Sequence, residues 1–162
     1  MSYHIRRKDK EITDPKQLKK ILDETSYVTL AMVKDGEPYL VSLSHIYDAD
    51  ENCIYFHSAP EGKKLDIMRA NPLVWGQAML DHGYYVGQCS HLYASVMFKG
   101  RVEFISDMEI KRRVFHDMVL KLEPDPDSIM DDMLNSKRMP TTVVGRINIE
   151  HMTGKKSAEV TL

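Results

Sequence analysis

Cysteine is scarce in this sequence: only Cys53 and Cys89 carry thiols, and neither lies in a C-x-x-C pair. One bridge at most is possible, so a disulfide scaffold is excluded and free thiols in a reducing cytoplasm are expected. Long hydrophobic runs are missing too. No stretch approaches the roughly 20 apolar residues of a membrane-crossing helix, and Ser2 to Lys20 is too polar for a secretory signal. An excess of one charge is also lacking: 22 Lys and Arg stand against 24 Asp and Glu, for a formal net charge of −2. This balance argues against a nucleic-acid binder, and the short basic run IRRKDK reads as a solvated terminus. No Pro/Gly/Ser linker, repeat or low-complexity tract divides the chain, so a single domain over residues 1–162 is expected.

Sequence signatures of several chemistries are absent as well. The histidines, His4, His45, His57, His82, His91, His116 and His151, are scattered and include no H-E-x-x-H, so no dedicated metal site is expected. There is no G-x-S-x-G elbow for a hydrolase, and the glycines of 81-DHGYYVGQCS-90 do not form a dinucleotide-binding G-x-G-x-x-G.

What is present is a pattern of strands and a few helices. Asp14-Pro15 followed by Leu18, Ile21 and Leu22 on one face predicts a helix. Two β-rich runs around Asp35-Gly36, within 26-SYVTLAMVKDGEPYLVSLSHIY-47, predict a hairpin, and 53-CIYFH-57 adds a third strand. Further strands are expected at 73–80, 93–105 and 141–152, with a bulge or bend at Gly100. Ser106 and Glu109 predict a capped helix over 107–122, and Asp125-Pro126 a shorter one carrying Met130 and Met133. About six mostly antiparallel strands with some four helices, not regularly alternating, suggest a mainly β (α+β) fold: a small β-barrel with flanking helices.

The most chemically suggestive stretch is 55-YFHSAPEGKKLDIMRANP-72. Ser58 and Glu61 have capping-box spacing, which predicts a helix opening at Ser58 and closing before Pro72. The first turn of a helix is already electropositive and disfavours cations, yet Lys63 and Lys64 fall there. Backbone N–H groups, the Ser58 hydroxyl and the two ammoniums together suit a phosphate, and Gly62 allows close approach to the backbone. The bland alternative is an exposed helix with solvated lysines. His57, which ends the strand before this turn, is a candidate proton donor or a hydrogen-bonded structural residue.

The blocks IRRKDKEITD, PYLVSLSHIY, IYFHSAPEGKKLDIMRANP, YASVMFKGRVEFI and INIEHMTGKKS, in this order, carry a resemblance. The chain resembles the FMN-binding pyridoxamine 5′-phosphate oxidase-like superfamily, in the branch of the 5-nitroimidazole-resistance (Nim) proteins. The resemblance implies a split β-barrel and a homodimer with FMN at the subunit interface. Carried over onto this sequence, it implies that Lys63, Lys64 and Ser58 hold the FMN phosphate and that Val41, Ser42 and Leu43 border the flavin ring. It places His57 and Ala59 near the ring or ribityl chain, and Tyr93, Ser95, Arg6 and Arg7 at the completing edge, with Gly154-Lys155 closing over the flavin. The R-x-V-L-L-K motif and C-terminal arginine signature of the vitamin B6 oxidases are absent, so oxidation of pyridoxamine phosphate is not expected. The resemblance implies an FMN-dependent oxidoreductase taking electrons from NAD(P)H to a flat acceptor such as a nitroaromatic, with His57 nearest the substrate. The alternative is a flavin- or haem-binding carrier or sensor, with His45, His57 or His91 as the axial ligand.

Overall fold

The computed structural model describes residues 5–162, so His4 lies outside the described residues. Seven antiparallel strands are present: β1 (Glu11–Ile12), β2 (Tyr27–Lys34), β3 (Glu37–Asp48), β4 (Cys53–Ser58), β5 (Leu73–Tyr85), β6 (Ser90–Ile105) and β7 (Val143–Lys156). Four helices accompany them: α1 (Pro15–Glu24), α2 (Lys63–Ala70), α3 (Met108–Leu122) and α4 (Met130–Leu134). The sheet runs β1-β7-β4-β3-β2-β5-β6, and β6 pairs again with β7, which closes six strands into a barrel with β1 as a short addition.

Alternation builds the interior. Along β2, Val28, Leu30 and Met32 are buried while Tyr27, Ala31 and Val33 face out. On the inner wall two phenylalanines lie over glycines of neighbouring strands: Phe98 opposite Gly76, and Phe56 opposite Gly145. A Cβ on Gly145 would stand 2.2 Å from Phe56 Cζ, so the ring occupies the space that a side chain would need. α1 contributes Leu18, Ile21 and Leu22 to the same core as Val28, Leu30, Phe56 and Phe98. A second core joins Val114, Phe115 and Met118 of α3 to Cys53, Tyr55 and Val144 on the outside of the barrel. Arg113 fixes α3 there, donating to Asp48 Oδ2 at 2.7 Å and to the Tyr55 hydroxyl at 3.2 Å.

The expected hairpin is present, with Asp35 at φ 53° and Gly36 at φ 80°, and the ladder breaks its register opposite Gly100. Other expectations need correction. Ser58 does not cap α2: it is the last residue of β4, paired with Val143, and the helix is entered from Gly62 at φ 146° with no side-chain cap. Asp107, not Ser106, caps α3, accepting from the backbone N–H groups of Glu109 and Ile110. Within 81–90, β5 continues to Tyr85 and β6 starts at Ser90, a two-stranded arm whose register shifts between Asp81 and Tyr84 and whose tip is a turn over 86–89. β7 runs on to Lys156, so Gly154 and Lys155 lie in a strand between β6 and β1.

Candidate functional site

The site begins where two strands part. β3 pairs with β2 from Glu37 to Ser44, but with β4 only from His45 to Asp48. β4 continues past Phe56, yet His57 and Ser58 pair only with β7. Among the described residues, the edge of β3 over residues 37–44 therefore has no strand beside it on that flank. Pro60 cannot extend the ladder and Gly62 turns the chain, so α2 starts at this same opening.

Both lysines stand at the opening, in the first turn of α2. The Lys63 ammonium lies 3.3 Å from Glu37 Oε1 and 5.0 Å from the centre of the Tyr39 ring, reaching across from α2 to β3. A cavity of about 410 Å3 at this mouth is lined by Lys34, Glu37, Tyr39, Lys63, Asp66 and Ile67. Lys64 is half-buried and makes no ion pair among the described residues. Ser58 is buried, and its hydroxyl has no hydrogen-bond partner among the described residues, an unusual condition for an enclosed polar atom. Ala59 follows it, exposed in the turn. On β3, Val41 and Leu43 are half-buried against the barrel core, while Ser42 faces out with its Oγ 2.9 Å from Thr29 Oγ1.

His57 projects from β4 toward α3. Its ring centre is 5.4 Å from that of Phe115, at an interplanar angle of 43°, and Nδ1 is 3.2 Å from Met118 Sδ. A thioether can only accept, so Nδ1 carries the hydrogen in this contact and Nε2 keeps its lone pair. Although part of the ring is exposed, burial against α3 lowers the His57 pKa, and the nearby Lys64 charge lowers it further. Both effects favour the neutral ring, and Nε2 makes no hydrogen bond among the described residues.

The remaining expected residues gather elsewhere on the chain. Ser95 and Arg6 line a cavity of about 250 Å3 with Met97, Gly154 and Lys155. Of this group, Ser95 and Met97 lie on β6 and Gly154 and Lys155 on β7. Arg7 is exposed and pairs with Asp9, and Tyr93 is half-buried, with the Lys10 ammonium 5.9 Å from its ring centre. Residues 57–59 and 63–64 thus flank the entry to α2, Lys63 reaches the β3 edge at Glu37 and Tyr39, and Arg6 and Ser95 line a separate cavity. Sequence reasoning missed Glu37 and Tyr39, which meet Lys63 only through the folded register, and also Phe115 and Met118, whose helical spacing marks nothing beyond a core face. His45 needs correction as a haem-ligand candidate: it is fully buried, its Nε2 is 2.8 Å from the Leu22 carbonyl, and burial lowers its pKa to about 4.

On the outer face of β3, β2, β5 and β6, Leu40, Ala31 and Trp75 form one cross-strand apolar row, next to a polar row of Ser42, Thr29 and Gln77, and Tyr27, Met79 and Met97 are also exposed. Leu40 is 65% exposed and Tyr27 61%, a large uncovered area for large apolar side chains on a sheet. Among the described residues, no helix is long and apolar enough to cross a membrane.

Comparison with known proteins agrees with this architecture. Residues 14–156 match the pyridoxamine 5′-phosphate oxidase family model. A solved structure of a candidate 5-nitroimidazole antibiotic resistance protein from Bacteroides thetaiotaomicron is 28% identical, with a TM-score of 0.73 over 90% of this chain and 85% of that one. An FAD-binding protein from Mesorhizobium loti is also 28% identical, with a TM-score of 0.63 over 90% and 96% of the two chains. A flavocytochrome from Azotobacter vinelandii, at 20% identity, shares the fold with a TM-score of 0.80 over 99% and 75%. No curated protein matches the chain at a significant level. With a family match over nearly the whole sequence and a barrel whose β3 and β4 part at one flank, the chain belongs to the pyridoxamine 5′-phosphate oxidase family and has its split-barrel fold.

Proposed function

We propose that the protein is an FMN-dependent oxidoreductase, working as a homodimer, that takes electrons from NADH or NADPH to a flat small-molecule acceptor such as a nitroaromatic. The observation that carries this reading is the opening between β3 and β4, where Lys63 and Lys64 form the first turn of α2 beside the free flank of β3, with the buried Ser58 hydroxyl ending β4 just before it. These groups suit a phosphate: two cations, a hydroxyl donor and free helix N–H groups. The exposed edge of β3 at Val41–Leu43 offers backbone donors and acceptors to a planar ring system. Two relatives of known structure are described by the flavin they carry, one of them binding FAD, which supports a flavin here.

A flavin bound there supplies the electron transfer between donor and acceptor. The chain's own residues do the rest. Lys63 and Lys64 anchor the charged tail, and the β3 edge orients the ring. His57 presents Nε2, whose neutral state lets it take a proton from solvent and deliver it to a reduced acceptor. The exposed row of Leu40, Ala31 and Trp75 supports a dimer.

An absorption spectrum and an FMN titration test this reading. Flavin bands, with turnover on NADH or NADPH, favour it; an intense Soret band favours the haem-carrier alternative. Replacing Lys63 and Lys64 together by alanine is expected to weaken FMN binding by about 2–4 kcal/mol. Unchanged affinity rejects the phosphate role.

A further inference from the structure

His57 faces a cavity away from the α2 opening. On its α3 side, a space of about 310 Å3 is bounded by His57, Phe115, Met133, Arg138, Met139 and Thr142. This volume is at the small end of ligand pockets, roughly 300–1,000 Å3, and suits one or two fused rings. The Phe115 ring and the thioethers of Met133 and Met139 give it polarizable walls for a flat aromatic body.

The segment that closes the cavity is held firmly. Lys111 is buried and its ammonium donates to the carbonyls of Pro140 at 3.4 Å and Thr142 at 3.0 Å. The hydroxyls of Thr141 and Thr142 each donate to the Arg138 carbonyl at 2.9 Å. Arg138 itself stands at the rim, exposed, and forms no ion pair among the described residues. No carboxylate occupies its planar fork, whose geometry matches a ligand carboxylate in two parallel hydrogen bonds.

We propose that this cavity is the acceptor subsite, and that Arg138 makes it select planar aromatic acids over their uncharged analogues. The inference rests on the oxidoreductase reading and names its substrate class. His57 lines the aromatic cavity and lies within reach of the Lys64 charge at the start of α2. Arg138 is a specificity-determining residue here and takes no part in proton or electron transfer.

The test is calorimetric titration with 4-nitrobenzoate and its uncharged analogue 4-nitrobenzamide, on flavin-free and FMN-supplemented full-length protein. The acid is expected to bind about tenfold more tightly than the amide, and to shift the His57 ring resonances in NMR spectra. Arg138→Gln is expected to erase the preference while leaving FMN affinity unchanged, and Arg138→Lys to restore part of it. Equal affinities in the wild type, or a preference that survives Arg138→Gln, overturn the subsite. FMN binding without any preference defeats the subsite alone. A preference retained in protein that binds no FMN defeats the oxidoreductase reading, and the acceptor role with it.

Discussion

The Lys63 ammonium lies 3.3 Å from the Glu37 carboxylate, bridging the opening where β3 and β4 part. Both groups are largely exposed, so the pair is weak in water and exchangeable for a better anion. A dianionic phosphate at the same lysine has to displace or repel Glu37. Glu37→Gln is therefore expected to tighten FMN binding by about two- to fivefold, read by quenching of flavin fluorescence on titration. Weaker binding in that variant would mean that Glu37 itself supports the ligand.

His57 gives a second prediction. Burial against α3, aided by Lys64, holds its pKa below the ordinary histidine value, so only a minor fraction is protonated at neutral pH. If the protonated ring supplies the proton to the acceptor, turnover rises as the pH falls toward that lowered pKa and levels off below it. His57→Ala should keep FMN bound and lose this pH dependence. A profile identical to that of the wild type removes His57 from proton transfer.

His45 links acidity to stability. Its burial, with the charge of Lys121 as a lesser cause, lowers its pKa from 6.5 to about 4. Between those values the unfolded chain takes up a proton that the folded chain refuses, so stability falls with pH across that window and changes no further below it. The loss is on the order of 3 kcal/mol, measurable as a drop in urea midpoint between neutral and acid conditions. His45→Gln should show a smaller acid loss. An unchanged one would assign the effect to other groups.

The packing of Phe56 on Gly145 is a structural counterpart. A methyl group on Gly145 would meet the fully buried Phe56 ring at 2.2 Å, and the surrounding core leaves the ring little room to move. Gly145→Ala is expected to destabilise the fold by about 1–3 kcal/mol in denaturant unfolding, and Phe56→Leu in the same chain to recover part of it. No loss in the single variant would show that the ring can shift freely.

Much of this fold is legible in the sequence where the signal is local. Asp35-Gly36 marks its hairpin because both residues take a positive φ that few others accept, and the alternation Val96, Phe98, Val102 marks an inner barrel wall. Ser58 shows where local reading stops. Its spacing to Glu61 fits a capping box, but the residue also continues the inward pattern of Ile54 and Phe56 and pairs with Val143, far along the chain. Strand pairing prevails, and the helix waits for Gly62. Ser106 yields to Asp107 for a smaller reason, a one-residue shift between two good caps. The two residues of β1 are too short to show any period.

The site divides in the same way. His57, Ser58, Lys63 and Lys64 are visible together because they are nearly contiguous. Glu37 and Tyr39 join them only because hairpin register and strand parting carry the β3 edge to α2. Phe115, Met133 and Arg138 reach His57 through the packing of α3 and the segment beyond it, which no spacing in the sequence encodes.

The most direct test of the account is a comparison of FMN with riboflavin, which has the same ring system and lacks the phosphate. If the opening beside α2 holds the phosphate, FMN binds at least about a hundredfold more tightly to the wild type, and most of that difference vanishes when Lys63 and Lys64 are both alanine. Equal binding of the two flavins to the wild-type protein would contradict it.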